Sequence, residues 1–174
     1  SGVLHASGGL TGRAVSRVAV SGHRGLAPEV ARFVDQAIRD YLARIRDDSP
    51  LVGLSCLADG ADQIFARAVL DLGGDLEVIV PARQYRDGLP AEARSSYDEL
   101  IARASRVHRL ERIESTSAAH MEASIEMLKL ADYLVAVWDG QPARAFGGTA
   151  DVVAAAREYG IPVTVIWPEG ATRD

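Results

Sequence analysis

The sequence contains one cysteine, no long apolar run and no excess of positive charge. Cys56 lies inside the apolar stretch LVGLSC, where a free cysteine usually behaves as a small buried hydrophobe, and this indicates a reduced, cytoplasmic setting. No apolar run approaches the roughly 20 residues that a bilayer span requires. The first residues also lack the basic segment and apolar core of a signal peptide. We therefore expect no membrane partner.

The acidic charge balance argues against a nucleic-acid partner. The chain carries 24 acidic and 19 basic residues among 174, a net charge of −5. Binding to a phosphate backbone normally uses a broad basic surface. The composition, 48% hydrophobic and 25% charged, is typical of a soluble globular protein. We therefore expect a small molecule rather than a nucleic acid.

Several catalytic and metal-binding motifs are also missing. No glycine turn is followed by Lys-Ser or Lys-Thr, as in a P-loop, and none has the pattern G-x-G-x-x-G. Ser21 and Thr149 could act as nucleophiles, but no G-x-S-x-G elbow surrounds them. The four histidines show no ligand spacing. We expect neither a metal ion nor a cofactor.

Apolar, β-branched runs of strand length alternate with helical patterns along the chain. The predicted strands cover residues 17–22, 51–56, 76–81, 106–111, 133–140 and 161–168. The predicted helices cover residues 28–46, 60–72, 91–104, 117–130 and 149–159. Because the strands are continuously apolar, they are expected to be buried on both faces. The pattern predicts a three-layer, Rossmann-like α/β fold: a doubly wound, mostly parallel sheet of about six strands with helices on both faces.

The domain organisation is predicted to be simple. We expect residues 1–15 to be disordered or a cloning remnant, and residues 16–174 to form a single Rossmann-like domain. The polar stretch 82–96 is predicted to be a mobile loop with a turn at Asp87-Gly88.

Three strand-to-helix junctions combine glycine with polar residues. They are SGHRGLAPE, LADGADQ and DGQPARAFGGTAD, and a parallel sheet places all three on the same rim. Glycine lets backbone N–H groups approach an anion, and the following helix adds partial positive charge. The predicted ligand-binding residues are Ser21, Gly22, His23, Arg24, Gly25, Gly60, Ala61, Asp62, Asp139, Gly140, Gly147, Gly148 and Thr149.

The polar side chains at these junctions have both functional and structural interpretations. Arg24 could pair with a phosphate and His23 could hydrogen-bond a base or sugar, or both could be solvated turn residues. Asp59 has the position of a cap for the second helix, whereas Asp62 could accept a hydrogen bond from a ribose hydroxyl. The candidate catalytic carboxylates are Asp151 and Glu122. Asp151 could instead stabilise the last helix through its dipole, and Glu122 could lie on a solvated face.

The ordered segments VAVSGHRGL, LADGAD, ADYLVAVWDG and GGTADVVAAAREYGIPVTVI resemble the SLOG superfamily over about residues 17–167. This group includes Lonely-guy phosphoribohydrolases, the Rossmann domain of DNA-processing protein A and nucleotide-sensing domains. The resemblance implies that Gly147, Gly148 and Thr149 hold a phosphate. The enzyme branch has P-G-G-x-G-T-x-x-E and an arginine in the preceding helix. Here Val152 and Ala123 stand at the glutamate and arginine positions, so the catalytic pair is missing.

The leading hypothesis is a protein that binds or senses a nucleotide or nucleotide-derived small molecule at these turns. The alternative is an N-glycosidic hydrolase or transferase for nucleoside monophosphates, which resembles a phosphoribohydrolase or a deoxyribosyltransferase. In that case Asp139 would contact the sugar, and Asp151 or Glu122 would attack or assist. A third hypothesis is single-stranded DNA binding. The apolar helix at 117–130 could mediate a homodimer, although core packing explains its pattern equally well.

Overall fold

The computed structural model describes residues 14–172, and these residues form strands and helices in alternation. The strands are β1 (Ser16–Gly22), β2 (Leu51–Ser55), β3 (Asp75–Val80), β4 (Arg106–Arg109), β5 (Tyr133–Val137) and β6 (Val163–Ile166). The helices are α1 (Pro28–Asp48), α2 (Ala61–Asp71), α3 (Ala91–Arg103), α4 (Ser117–Lys129) and α5 (Thr149–Glu158). Every predicted helix is present, with its ends within two residues of the predicted ones.

The six strands form one parallel sheet in the order β4-β3-β2-β1-β5-β6. One face of the sheet is covered by α1, α2 and α3, and the other by α4 and α5. β1 contributes to both layers, because Val18 and Val20 pack towards α1 while Ala19 packs towards α4 and α5. The predicted three-layer, Rossmann-like fold is therefore confirmed.

The direction of the connections reverses beside β1. From β1 the chain moves outwards through β2, β3 and β4, then returns through α4 to β5 on the other side of β1. In doubly wound sheets such a reversal leaves a crevice at the carboxyl ends of the two strands, and ligands bind in it. The fold thus points to the ends of β1 and β5 as the place for a site.

The polar stretch 82–96 is only partly a loop. Residues Arg86–Gly88 form a 3₁₀ turn and α3 already begins at Ala91, so the prediction of a loop over the whole stretch is wrong. Tyr85, Leu89, Ala93 and Tyr97 are spaced four residues apart and all are buried. Their packing against the sheet orders the chain despite the charged residues between them.

Most of the segment predicted to be disordered, residues 1–15, lies outside the described residues. Ala14 and Val15 are described, and they are exposed ahead of β1. Within residues 14–172, no helix combines the length and the apolar character needed to cross a membrane.

Candidate functional site

A cleft of about 740 Å³ opens at the carboxyl ends of β1, β2 and β5, and we call it the rim cleft. The β1–α1 turn (residues 23–27), the β2–α2 turn (56–60) and the β5–α5 turn (138–148) meet there. Nine of the thirteen predicted ligand-binding residues line it: Ser21, Gly22, His23, Arg24, Gly25, Asp62, Gly147, Gly148 and Thr149. The parallel sheet brings these residues together from three distant parts of the chain.

Two further predicted residues, Gly60 and Ala61, support the wall from behind. The Ala61 N–H donates to the His23 carbonyl oxygen at 3.3 Å, so the first two turns are in contact. Gly60 has φ of +86°, and a Cβ at this position would lie 2.8 Å from the same oxygen. A Cβ on Gly22 would lie 2.5 Å from that of Ala61. Gly60 is therefore required by the close approach of the backbone, and Gly22 by the close approach of neighbouring side chains.

His23 joins the first turn to the third. The residue is 8% exposed, and its Nε2 accepts the N–H of Asp139 at 3.1 Å and lies 3.2 Å from the Asp139 carboxylate. The edge of the ring contacts Trp167, with the two ring centroids 5.3 Å apart. Asp139 and the adjacent Gly140 are not part of the cleft wall. The structure thus places Asp139 against the His23 ring rather than in the wall of the cleft.

Arg24 is held by a carboxylate from the neighbouring turn. Its Nε and Nη2 each lie 2.7 Å from Asp59 Oδ1, and Asp59 Oδ2 accepts the Gly25 N–H at 3.1 Å. The prediction that Asp59 caps the second helix is wrong, because the N-cap is Gly60 and the Asp59 carboxylate bonds to Arg24 and to the Gly25 N–H instead. The Arg24 side chain remains 47% exposed. A phosphate at this point would share Arg24 with Asp59.

The amino end of α5 faces the rim cleft, and only some of its backbone N–H groups donate hydrogen bonds within the protein. The Gly147 N–H donates to Asp151 Oδ2 at 2.9 Å, and the Gly148 N–H donates to the Ala145 carbonyl at 3.2 Å. The N-cap residue, Gly148, has no side chain that could cap the helix. The N–H groups of Thr149 and Ala150 belong to the first turn, which has no acceptors within the helix. Within residues 14–172, these N–H groups have no acceptor, so they, rather than those of the two glycines, could bind an anion.

Asp62 is a buried carboxyl group in the cleft wall. It is 8% exposed, and its Oδ2 accepts the Ala58 N–H at 3.2 Å. Within residues 14–172, no donor contacts its Oδ1. Burial raises the pKa of Asp62 to about 7, although the Ala58 N–H and Arg24 act in the opposite direction. The side chain is therefore present in both protonation states near neutral pH and can either accept or donate a hydrogen bond.

The backbone next to Asp62 is strained at Leu57. This buried residue has φ of +59°, in the left-handed region that L-residues with large side chains rarely adopt. The Leu57 N–H donates to Ser55 Oγ at 3.0 Å, and its carbonyl accepts Gln63 Nε2 at 3.1 Å. Strain of this kind persists where surrounding contacts hold it, and it is common at ligand sites.

The two candidate catalytic carboxylates lie outside the rim cleft wall. Asp151 accepts the Gly147 N–H, as described above, and Glu122 pairs with Arg112 Nε at 2.6 Å with its side chain 47% exposed. Asp62 is the carboxylate that lines the cleft. Within residues 14–172, no group of three or more histidine, cysteine or acidic residues could hold a metal ion.

Sequence reasoning missed the part of the wall contributed by α4 and the β3–α3 loop. Ser117, His120 and Ser124 line the cleft at helical spacing, and Tyr85 contacts the edge of the His120 ring at a centroid distance of 5.4 Å. Burial, together with the charge of Arg24, lowers the pKa of His120. The available signal was positional: α4 follows β4, so its first turns lie on the same rim.

The apolar side of α4 is occupied by the core. Ala119, Ala123, Met127 and Leu128 are buried, and the last three pack against the sheet and α5. This packing accounts for the pattern that suggested a dimer interface, and a homodimer stays a prediction.

A Rossmann-like protein with a crevice at its switch point has several solved counterparts. DNA processing protein A from Streptococcus pneumoniae matches with a TM-score of 0.66 and 20% identity over 91% of this chain and 53% of that one. DNA processing protein A from Helicobacter pylori, a single-stranded DNA binder, matches with a TM-score of 0.64 and 16% identity, over 90% and 68%. The molybdenum cofactor binding protein from Rippkaea orientalis matches with a TM-score of 0.55 and 15% identity, over 87% and 76%.

These likenesses show the fold. All three proteins share the Rossmann-like fold of this chain, at 20% sequence identity or less. The chain spans about half the length of the pneumococcal protein. No protein-family model matches the sequence, and no curated protein matches it significantly.

Proposed function

We propose that this protein binds a nucleotide or a nucleotide-derived small molecule in the rim cleft. The observation that carries the proposal is the position of the cleft, at the switch point between β1 and β5 and in front of the uncapped amino end of α5. Its volume of about 740 Å³ lies within the range typical of small-molecule sites, about 300–1,000 Å³. The proteins that share the fold include a cofactor-binding protein, which supports ligand binding in general terms.

The phosphate of the ligand would bind at the start of α5. The Thr149 and Ala150 N–H groups and the Thr149 hydroxyl would donate to it, and the helix dipole favours an anion there. Gly147 and Gly148 would allow its close approach, because they leave no side chain in front of the helix. Arg24 also lines the cleft and would supply a charged donor.

The nucleoside part of the ligand would lie deeper in the cleft and at its mouth. Phe146 lines the mouth and is 62% exposed, so its ring could stack on a base. Asp62 Oδ1 would meet a ribose hydroxyl or a base N–H in the buried part. Arg144, in the same loop as Phe146, adds positive charge to this side of the cleft.

Binding without turnover is favoured because Asp151 and Glu122 are engaged elsewhere. The second candidate function is hydrolysis or transfer at the N-glycosidic bond of a nucleoside monophosphate. It is favoured by Asp62, a buried carboxyl group with a pKa near 7, which is the property that a general acid or base needs. Release of free base by the wild type, and its loss in Asp62→Asn, would support this second function. No base release from any nucleoside monophosphate would exclude it.

A thermal-shift screen tests the binding proposal. The probes are nucleoside mono-, di- and triphosphates, ADP-ribose, NAD and cyclic nucleotides. A ligand at a hundred times its Kd adds about 2.7 kcal/mol, which raises the Tm of a domain of this size by about 5–10 °C. Thr149→Val should abolish the shift. Thr164→Val, on the exposed edge strand β6, should leave it intact. An unchanged Tm with every probe would contradict the proposal.

A further inference from the structure

A second cleft, of about 280 Å³, opens on the same rim beside the ends of β3 and β4. We call it the arginine cleft, because Arg83, Arg86 and Arg109 line it together with one carboxylate, Asp98. Three guanidinium groups against one carboxylate leave a surplus of two positive charges. This local surplus contrasts with the chain's net charge of −5.

Among the described residues 14–172, only Arg86 of the three arginines is neutralised by a carboxylate. Arg86 donates to both oxygens of Asp98, from Nε at 2.7 Å and from Nη2 at 2.8 Å. Within residues 14–172, no carboxylate or carbonyl accepts from the guanidinium of Arg83 or of Arg109. Two exposed arginines therefore face one small cleft with their donors open to a ligand.

The remaining wall combines a hydroxyl with apolar surface. Tyr97 is a buried residue. Its burial raises the pKa of the hydroxyl, although the charge of Arg109 acts to lower that pKa. The hydroxyl is thus neutral at physiological pH and can donate to an anion. Ile101 and Leu110 complete the wall. Two guanidinium groups and one hydroxyl over apolar surface suit a phosphate better than a free cation or an uncharged ligand.

The two clefts are separated by a pair of aromatic rings. Tyr85 lines the rim cleft and Tyr97 lines the arginine cleft, and the rings meet edge to face with centroids 6.1 Å apart. Along the chain, Pro81 faces the first cleft and Ala82 the second. The arginine cleft is therefore a neighbour of the rim cleft but has its own walls.

We propose that the arginine cleft is a second binding site for phosphate groups, with Arg83 and Arg109 as the residues that hold them. The site is independent of the α5 amino end. The phosphate can belong to a free nucleotide or pyrophosphate, or to the backbone of a single-stranded oligonucleotide, because both present the same oxygen atoms to arginine.

The test compares two double variants of equal charge. Arg83→Gln/Arg109→Gln removes both proposed ligands. Arg103→Gln/Arg106→Gln removes two exposed arginines that line neither cleft, and Arg106 lies at the opposite end of β4 from Arg109. Binding of pyrophosphate, ATP and a ten-residue oligo-dT is measured by calorimetry at 50 mM salt, and circular dichroism verifies the fold of each variant.

We expect at least one probe to bind the wild type. Arg83→Gln/Arg109→Gln should reduce the affinity for that probe at least tenfold. The control variant should stay within twofold. Equal losses in both variants, no loss in the first, or no binding of any probe to the wild type would overturn the proposal. Arg83→Lys/Arg109→Lys keeps the charge and should recover part of the affinity.

The probes also identify the source of the phosphate. If oligo-dT binds through this cleft, the slope of log K against log salt should fall by about 1.4 in the glutamine variant, since each contact to a single strand contributes about 0.7. If only pyrophosphate or ATP responds, the site takes free anions. Thr149→Val alters the rim cleft alone, so failure of one proposal is distinguishable from failure of the other.

Discussion

Replacing Asp62 by asparagine should remove a specific pH dependence from the stability of this protein. In the folded state the pKa of Asp62 is about 7, against an ordinary value of 3.8. The folded state therefore binds the proton more tightly than the unfolded state. The resulting stabilisation is complete below pH 3.8 and is lost as the pH rises through 7. At about 1.4 kcal/mol per pKa unit, the full effect is about 4 kcal/mol.

Between pH 5 and pH 8 the stabilisation by the Asp62 proton should decrease by about 2–3 kcal/mol. The assay is urea unfolding of the wild type and of Asp62→Asn at several pH values, because other titrating groups, such as His120, cancel in the difference. As the pH rises, the free energy of unfolding of the wild type should fall by that amount relative to that of the variant. Asp75→Asn, at an exposed position, serves as the control and should show a smaller change. A difference between wild type and Asp62→Asn that is constant from pH 5 to pH 8 would refute the reasoning.

Three other predictions follow from packing and charge. Gly22→Ala should lower the free energy of unfolding by about 1–3 kcal/mol, because the added Cβ would lie 2.5 Å from a side chain of α2. Thermal unfolding should show a Tm several degrees lower. The control Gly88→Ala, which has open space around it, should leave the Tm almost unchanged. Phe65→Ala should lower the free energy of unfolding, measured with urea, by about 3–5 kcal/mol, because the ring is fully buried. An unchanged urea midpoint would contradict this packing. Asp151→Asn keeps an acceptor for the Gly147 N–H but removes a negative charge near the proposed phosphate. Calorimetry should then show threefold to tenfold tighter binding of the nucleotide found in the screen, on the order of 1 kcal/mol, and weaker binding would argue against a phosphate at this helix end.

The fold was largely predictable because its signals are local. Continuous apolar runs marked the buried strands β1, β2, β3 and β5. The edge strands β4 and β6 are mostly exposed or half-buried, so the expectation of burial on both faces is wrong for them. Pro28 and Gly160 marked helix ends to within two residues. The stretch 82–96 was misinterpreted because Tyr85, Leu89, Ala93 and Tyr97 are outnumbered by charged residues. Their burial depends on the sheet surface beneath them, which no local window of sequence contains.

The candidate site was predictable only where it follows from strand ends. A parallel sheet places the residues after β1, β2 and β5 on one rim, so the three glycine turns could be grouped. The pairing of Arg24 with Asp59 spans 35 residues, and the contact of His120 with Tyr85 joins a helix to a loop. Such pairings depend on how elements pack, and neither spacing nor composition encodes them visibly.

The contacts among the three turns have a kinetic and an evolutionary consequence. The β1–α1 turn is tied to one neighbour through the His23 carbonyl and to the other through the His23 ring. These contacts hold the floor of the rim cleft in place within the protein itself. In the proposed function, binding would then have to order few further side chains, each of which would cost about 0.5–1.5 kcal/mol. Association should then be governed by diffusion into the cleft. Because of these contacts, replacing one turn alone with the turn of another protein would disturb the other two. A change in ligand specificity would therefore require changes in all three turns together.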